Sequence, residues 1–112
     1  MKALFKMSVD CNDNKYINGV FIAATEMVEK LIDSKILIHF DDILGKNTET
    51  IAFIDPGEIK FITSNDYIVQ IIEENNLEKG FNPFDFKPYN VDLSTFEDKE
   101  VNLYDYIKTL IK

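Results

Sequence analysis

The sequence contains no arginine and no tryptophan, and it has one histidine and one cysteine among 112 residues. Arginine is the side chain that binds phosphates and base edges through two parallel hydrogen bonds. Its absence and a net charge of −8 disfavour direct binding of DNA or RNA. The abundant isoleucine and asparagine indicate an AT-rich genome, and codon bias is an alternative explanation for the missing arginine.

The single cysteine and the absence of long apolar runs restrict the cellular setting. Cys11 has no partner for an internal disulfide and no cysteine or histidine at zinc-ligand spacing, which fits a reducing compartment. No segment reaches the roughly 18 apolar residues of a membrane span, and Lys6 interrupts the apolar part of a signal peptide. We expect a cytoplasmic protein without membrane contact, folded as a single domain over 1–112.

Hydrophobic periodicity predicts an α+β fold in the order β-β-α-β-β-β-α-loop-α. Five segments alternate apolar and polar residues as strands do: 3–9, 16–24, 36–40, 49–55 and 58–63. Three helices are predicted, with Thr25 and Ser64 as N-caps of the first two and Asn102 as the start of the third. The first two strands are expected to form a hairpin and the last three a meander, in one mainly antiparallel sheet of about five strands covered by helices.

Two further features concern packing. Four apolar residues at helical spacing predict the buried stripe of the second helix: Ile68, Val69, Ile71 and Ile72. The segment 77–90 has no clear period and is predicted to be an ordered loop, packed by Phe81, Phe84 and Phe86.

The densest polar cluster spans 41–49, at the end of a predicted hairpin. It contains Asp41, Asp42, Lys46, Asn47 and Glu49. Such a group could bind a cation, bind the hydroxyls and amines of a ligand, or perform acid and base chemistry. The alternative is a charged hairpin tip that keeps the strands soluble. The spacing does not fit a calcium loop.

The sequence offers little to support catalysis. His39 lies between two apolar strand residues, as a packing residue does, and no nucleophile is placed beside it by a recognisable motif. The four glycines are isolated, which excludes the usual glycine-rich cofactor fingerprints, so no cofactor is expected. These features favour a binding protein over an enzyme.

A second candidate binding segment is rich in aromatic residues and amides. Asn82, Phe84 and Asp85 lie in the run Phe81-Asn82-Pro83-Phe84-Asp85-Phe86, which is typical of the lining of a small-molecule pocket. The alternative is a loop attached to the core by its three phenylalanines. Tyr104 and Tyr106 of the last helix could extend either surface.

Three segments carry a resemblance to a known group of proteins: 18–26 (NGVFIAATE), 42–49 (DILGKNTE) and 82–86 (NPFDF). They resemble short proteins encoded by phages, prophages and their Gram-positive hosts, whose patterns are Gly-[Leu/Val]-Phe-[Val/Ile]-Ala-Thr, Gly-Glu-Val-Leu-Gly-Lys-His-Ser-Glu and Asn-Pro-[Leu/Phe]-Asp-[Tyr/Phe]. This chain has Asp41 for Gly, Asp42 for Glu and Asn47 for His. The missing histidine weakens a metal or acid–base role there.

The resemblance implies a phage-type accessory protein that neutralises a component of host defence. Its partner is expected to be either a small nucleotide signal held in a pocket or a host defence protein whose basic groove is occluded. The expected contact residues are Asp42, Lys46, Asn47, Glu49, Asn82, Phe84 and Asp85. The alternatives are a metal-dependent hydrolase that uses Asp41, Asp42 and Glu49, and a homo-oligomeric assembly subunit with an apolar patch around Tyr104 and Ile107.

Overall fold

The structure, a computed structural model, describes residues 1–10, 16–40, 50–89, 91–94, 96 and 101–111. Its strands are β1 (Lys2–Asp10), β2 (Tyr16–Ala24), β3 (Ile38–His39), β4 (Ile51–Ala52), β5 (Ile59–Thr63), β6 (Lys79–Gly80) and β7 (Lys87–Pro88). Its helices are α1 (Thr25–Ser34), α2 (Asp66–Glu74) and α3 (Leu103–Leu110), and single 3-10 turns span Pro56–Glu58 and Pro83–Asp85. The predicted α+β class is confirmed, and the order of elements agrees with the prediction as far as α2.

The strands form two antiparallel sheets rather than one. The first sheet has the order β5-β1-β2-β6 and the second the order β4-β3-β7. The predicted β1–β2 hairpin is confirmed, with Phe5 opposite Phe21. The predicted meander is wrong, because β5 leaves β4 and pairs with β1. This pairing sets Ile59 beside Met7 and Phe61 beside Phe5, so the apolar face of β1 continues into β5.

Two strands occur within the segment predicted to be a loop. β6 pairs with β2 and β7 pairs with β3, each through two residues. A two-residue strand is too short to show an alternation of apolar and polar side chains, and glycine or proline rarely marks a strand interior. The period of the sequence therefore gives no signal for either strand.

The main core lies on one face of the first sheet, under α1 and α3. The sheet contributes fully or nearly fully buried side chains at alternate positions of β1 and β2: Ala3, Phe5, Met7, Val9, Ile17 and Phe21. From α1 the core takes Met27, Val28 and Leu31, and from α3 it takes Leu103 and Ile107. The proposed exposed patch around Ile107 is wrong, because Ile107 is fully buried.

Two of the three predicted helix starts need correction. Thr25 is the first residue of α1, and Ala24 is the N-cap without a side-chain hydrogen bond. The cap of α2 is Asn65 rather than Ser64, since its Oδ1 accepts hydrogen bonds from two backbone N–H groups of the first turn. The Asn65 side chain lies one residue after Ser64 and accepts hydrogen bonds from the Tyr67 and Ile68 N–H groups.

No helix within the described residues is long and apolar enough to cross a membrane.

α2 lies against β1 on the face of the sheet opposite the main core. Leu4 and Val69 are both buried, at 7% and 5% exposure, yet neither belongs to the main core cluster. Lys2 and Glu73 form an ion pair at 3.0 Å beside them. Because α2 lies against β1 here, we infer that Leu4 and Val69 pack together in a small second cluster that attaches α2 to the outer face.

The predicted buried stripe of α2 is only partly formed. Val69 is buried and Ile72 is half-buried, whereas Ile68 and Ile71 are 43% and 38% exposed. The apolar arc of this helix is wider than the surface that β1 offers it, so half of the arc faces solvent.

Candidate functional site at the Asn82–Phe86 turn

The turn that begins at Asn82 is fixed by its own side chain and by a proline. Asn82 Oδ1 accepts a hydrogen bond from the Phe84 N–H at 3.0 Å, which caps the 3-10 turn. Pro83 occupies the first position of the turn, where its fixed φ suits the geometry and its missing N–H costs nothing. The sequence Asn-Pro therefore folds locally into a rigid corner.

Phenylalanines attach this corner to the core. Phe84 is 4% exposed and meets Phe21 of β2 edge-to-face, with ring centroids 6.2 Å apart. Phe86 is half-buried and packs on Phe40 at 4.9 Å. Phe81 is 39% exposed and meets Phe86, with ring centroids 5.9 Å apart. The alternative of a loop held by phenylalanines is thus correct for Phe84 and Phe86.

Two facing glycines let the chain approach β2 closely before the turn. Gly19 lies opposite Gly80 in the sheet register, and a Cβ at Gly19 would collide with the backbone of Phe81. Gly80 has a φ of +70°, a conformation that residues with a side chain rarely adopt. The Phe81 N–H then donates to the Asn18 carbonyl at 3.0 Å.

The start of α3 forms the other side of the site. The Leu103 N–H donates to the Phe86 carbonyl at 2.6 Å, which joins the helix to the end of the turn. Asn102 is the N-cap, and its Oδ1 accepts from the Asp105 N–H at 2.9 Å. This arrangement brings Asn102 and Tyr104 beside Asn82 and Asp85.

A cavity of about 260 Å³ lies between these elements, and we name it the turn pocket. Its lining consists of Ile22, Ala23, Ala24, Met27, Asn82, Phe84, Asp85, Asn102 and Tyr104. The volume lies just below the roughly 300–1,000 Å³ typical of ligand sites. The pocket therefore suits a small molecule or one ring system of a larger one.

The polar groups of the turn pocket are of complementary kinds. Asn82 and Asn102 each use Oδ1 for a cap, and neither Nδ2 donates to a described residue. Asp85 supplies a carboxylate and Tyr104 a phenol hydroxyl, which can donate or accept. No lysine contributes to the lining formed by the described residues. The site can offer amide donors and one negative charge to a ligand.

The predicted site residues divide into two groups. Asn82, Phe84 and Asp85 meet in the turn pocket. Asp42, Lys46, Asn47 and Glu49 lie outside the described residues, as does Asp41, so their role and the hydrolase hypothesis stay predictions. Within the described residues, no three His, Cys, Asp or Glu side chains stand together as metal ligands do. His39 is half-buried and stacks on Tyr89 at 6.3 Å.

The sequence does not predict most of the residues that line the turn pocket opposite the Asn82–Phe86 turn. The sequence predicts Asn102 only as a helix start, and no pattern in it places Asn102 beside Ala24 or Met27. Tyr104 lines the pocket as one of two tyrosines proposed to extend this surface, whereas Tyr106 packs against the core. These neighbours come together only through tertiary packing.

Fold and site together define an α+β protein with a small, mainly apolar pocket edged by amide and carboxyl groups. The chain matches no protein-family model, no curated protein and no solved structure. Two of the three segments that carry the phage-type resemblance, 18–26 and 82–86, contribute residues to the turn pocket. The third segment, 42–49, lies outside the described residues.

Proposed function

We propose that this protein binds a small planar molecule in the turn pocket and acts by holding it. One observation carries the proposal: two capping asparagines, a carboxylate and a tyrosine converge on a cavity whose other walls are apolar. Pockets for small ligands combine an apolar lining with a few polar groups that fix orientation.

The lining residues support a particular ligand chemistry. Asp85 accepts hydrogen bonds from N–H groups, while Nδ2 of Asn82 and of Asn102 donates to ring nitrogens or carbonyl oxygens. A nucleobase presents both kinds of group along one edge and has flat faces for the apolar walls. With a carboxylate and no lysine in the described lining, a phosphate is unfavourable here. The favoured ligand is therefore a base or nucleoside without phosphate at this site.

Binding without turnover is favoured by the same residues. The described lining contains no histidine, cysteine, serine or lysine that could act as a nucleophile or base beside the Asp85 carboxylate. In the context that the resemblance implies, the protein would remove a nucleotide-like signal of a host defence pathway by enclosing its base, with any phosphate of that signal outside the turn pocket.

The test is isothermal titration calorimetry with adenosine, guanosine and cytidine, each paired with its 5′-monophosphate. We expect one nucleoside to bind and its monophosphate to bind more weakly. Asn82→Asp and Asn102→Asp keep the capping oxygen and remove the Nδ2 donor. Each is expected to weaken binding about tenfold, since a hydrogen bond in a polar site contributes roughly 1.5 kcal/mol.

The matched control is Asn65→Asp, the same change at the cap of α2. Asn65 accepts from the Tyr67 and Ile68 N–H groups and does not line the turn pocket. Its affinity for the nucleoside should equal that of the unmodified protein. Equal losses in all three variants, or no binding of any nucleoside, would refute the proposal.

A further inference from the structure

Register places three lysines in one row across the first sheet. Lys60 of β5 lies directly opposite Lys6 of β1, Lys6 lies opposite Val20 of β2, and Val20 lies opposite Lys79 of β6. Cross-strand partners point to the same face of a sheet. We name Lys60, Lys6 and Lys79 the lysine row.

The lysine row lies on the outer face, opposite the main core. Lys6 alternates with the buried Phe5 and Met7, so its side chain points away from the core. All three lysines are exposed. Two shallow hollows of about 400 and 320 Å³ lie on this face, and they share Lys6 and Asn18 in their linings.

The lysines of the row are not paired with an acidic side chain within the described residues. None of the three forms a hydrogen bond or ion pair there, whereas Lys2 on the same strand is paired with Glu73. Glu58 is the acidic residue of the larger hollow. Its two oxygens accept hydrogen bonds from the Asp10 and Asp55 N–H groups, at 2.7 and 2.9 Å.

Protection of sheet edges explains the positions of Lys60 and Lys79 but not that of Lys6. Lysine on an edge strand discourages pairing with other chains, and Lys60 and Lys79 lie on the two edge strands. Lys6 lies on an inner strand, where it protects no edge. Like charges directly opposite each other destabilise a sheet, so Lys6 beside Lys60 is unfavourable unless an anion lies between them.

We propose that the lysine row is an anion site for a small ligand that carries two or more phosphates. Strands lie about 4.8 Å apart, so the row extends over roughly 14 Å and presents separate ammonium groups to successive phosphates. Ser8 and Asn18 add hydroxyl and amide groups in the larger hollow. A net charge of −8 opposes a long nucleic acid more than a short ligand, which favours the short one. This site is separate from the turn pocket and does not depend on the function proposed for it.

The probe is inorganic triphosphate, titrated into the full chain at constant ionic strength and followed by the backbone amide signals of the protein in NMR spectra. We expect saturable shifts centred on Lys6 and Val20, and much weaker binding of inorganic phosphate. Lys6→Gln should weaken triphosphate binding about tenfold, because charge-assisted hydrogen bonds are lost. Without ligand, the same variant should unfold at a higher temperature, because a like-charge pair is removed.

The control is Lys30→Gln, which changes the net charge equally but lies on α1, away from the row. It should alter the triphosphate affinity less than twofold. Absence of saturable shifts at millimolar triphosphate, or equal weakening by both variants, would overturn the proposal. Tighter binding of a single-stranded oligonucleotide than of triphosphate would also overturn it. Lys60→Gln repeats the test on an edge strand if Lys6→Gln fails to fold.

Discussion

Asparagine at a cap position does two things in this chain that an ionised aspartate cannot do together. Its oxygen closes the first turn, as at Asn65, Asn82 and Asn102. Its Nδ2 group keeps two further hydrogen atoms for another partner. Only the surroundings distinguish the three residues, since two of them line the turn pocket and one faces solvent.

At Gly19, a single added methyl group should be damaging. Gly19→Ala places a Cβ into the backbone of Phe81, which cannot yield as a flexible side chain would. We expect a loss of about 1–3 kcal/mol in the free energy of unfolding, the usual range for overpacking, measured by urea denaturation. Ligand affinity at the turn pocket should fall as well, because the Asn82 turn follows the displaced segment.

Gly57→Ala is the comparison for that experiment. A Cβ at Gly57 meets nothing within 4 Å, so its free energy of unfolding should stay close to that of the unmodified protein. If Gly19→Ala is equally harmless, β6 does not lie against β2 as described.

Glu26 should make the stability of α1 depend on pH. Hydrogen bonds from its own backbone N–H and from the Thr25 hydroxyl hold the pKa of this carboxyl below its usual 4.5. A lowered pKa means that the folded state favours the carboxylate, so the contribution is present above pH 4.5 and is lost as pH falls through the folded-state pKa.

Glu26→Gln should therefore lower the thermal midpoint at pH 7, and the difference from the unmodified protein should shrink as the pH falls below 4.5. Glu74→Gln, at the end of α2, serves as the control. A difference for Glu26→Gln that is constant from pH 7 to the acid limit would contradict the assignment.

Among the three described helices, α2 has the fewest buried side chains. It is attached to the outer face through the cluster of Leu4 and Val69, while α1 and α3 share the main core. Leu4→Ala and Val69→Ala should each destabilise the protein, Leu4→Ala by about 2–3 kcal/mol. Because the two side chains share one cluster, their effects should be non-additive by at least about 0.5 kcal/mol in a double-mutant cycle.

The matched cycle combines Leu4→Ala with Ile107→Val, which lies in the main core on the other side of the sheet. These two changes should add within about 0.5 kcal/mol. Additivity of Leu4→Ala and Val69→Ala would show instead that α2 is not held by this cluster.

For the molecule as a whole, local pattern predicts the kind of element but not its neighbour. The alternation along β1 and β2 identifies two strands, and the short connection between them favours a hairpin. The same alternation in 58–63 identifies β5 but carries no information on whether β4 or β1 is its partner. Pairing is decided by which strand has an open edge and a matching apolar face.

The turn pocket and the lysine row differ in how well the sequence predicts them. Asn82, Phe84 and Asp85 are close in the chain, and their mixture of aromatic, amide and carboxyl groups marks a pocket. The lysine row has no such local signal, because its members come from three strands far apart in the sequence. Only the register of the sheet reveals that they are neighbours.

β6 is held to β2 by two register pairs, by the Phe81 N–H that donates to the Asn18 carbonyl after it, and by the Ile22 N–H that donates to Glu78 Oε1 before it. Segments with so few hydrogen bonds open locally at a small fraction of the free energy of global unfolding. The Asn82 wall of the turn pocket follows this segment directly. If the pocket holds a ligand as proposed, we expect the ligand to leave when this short edge strand detaches, while the main core stays closed, so that the opening rate of the strand would set the residence time.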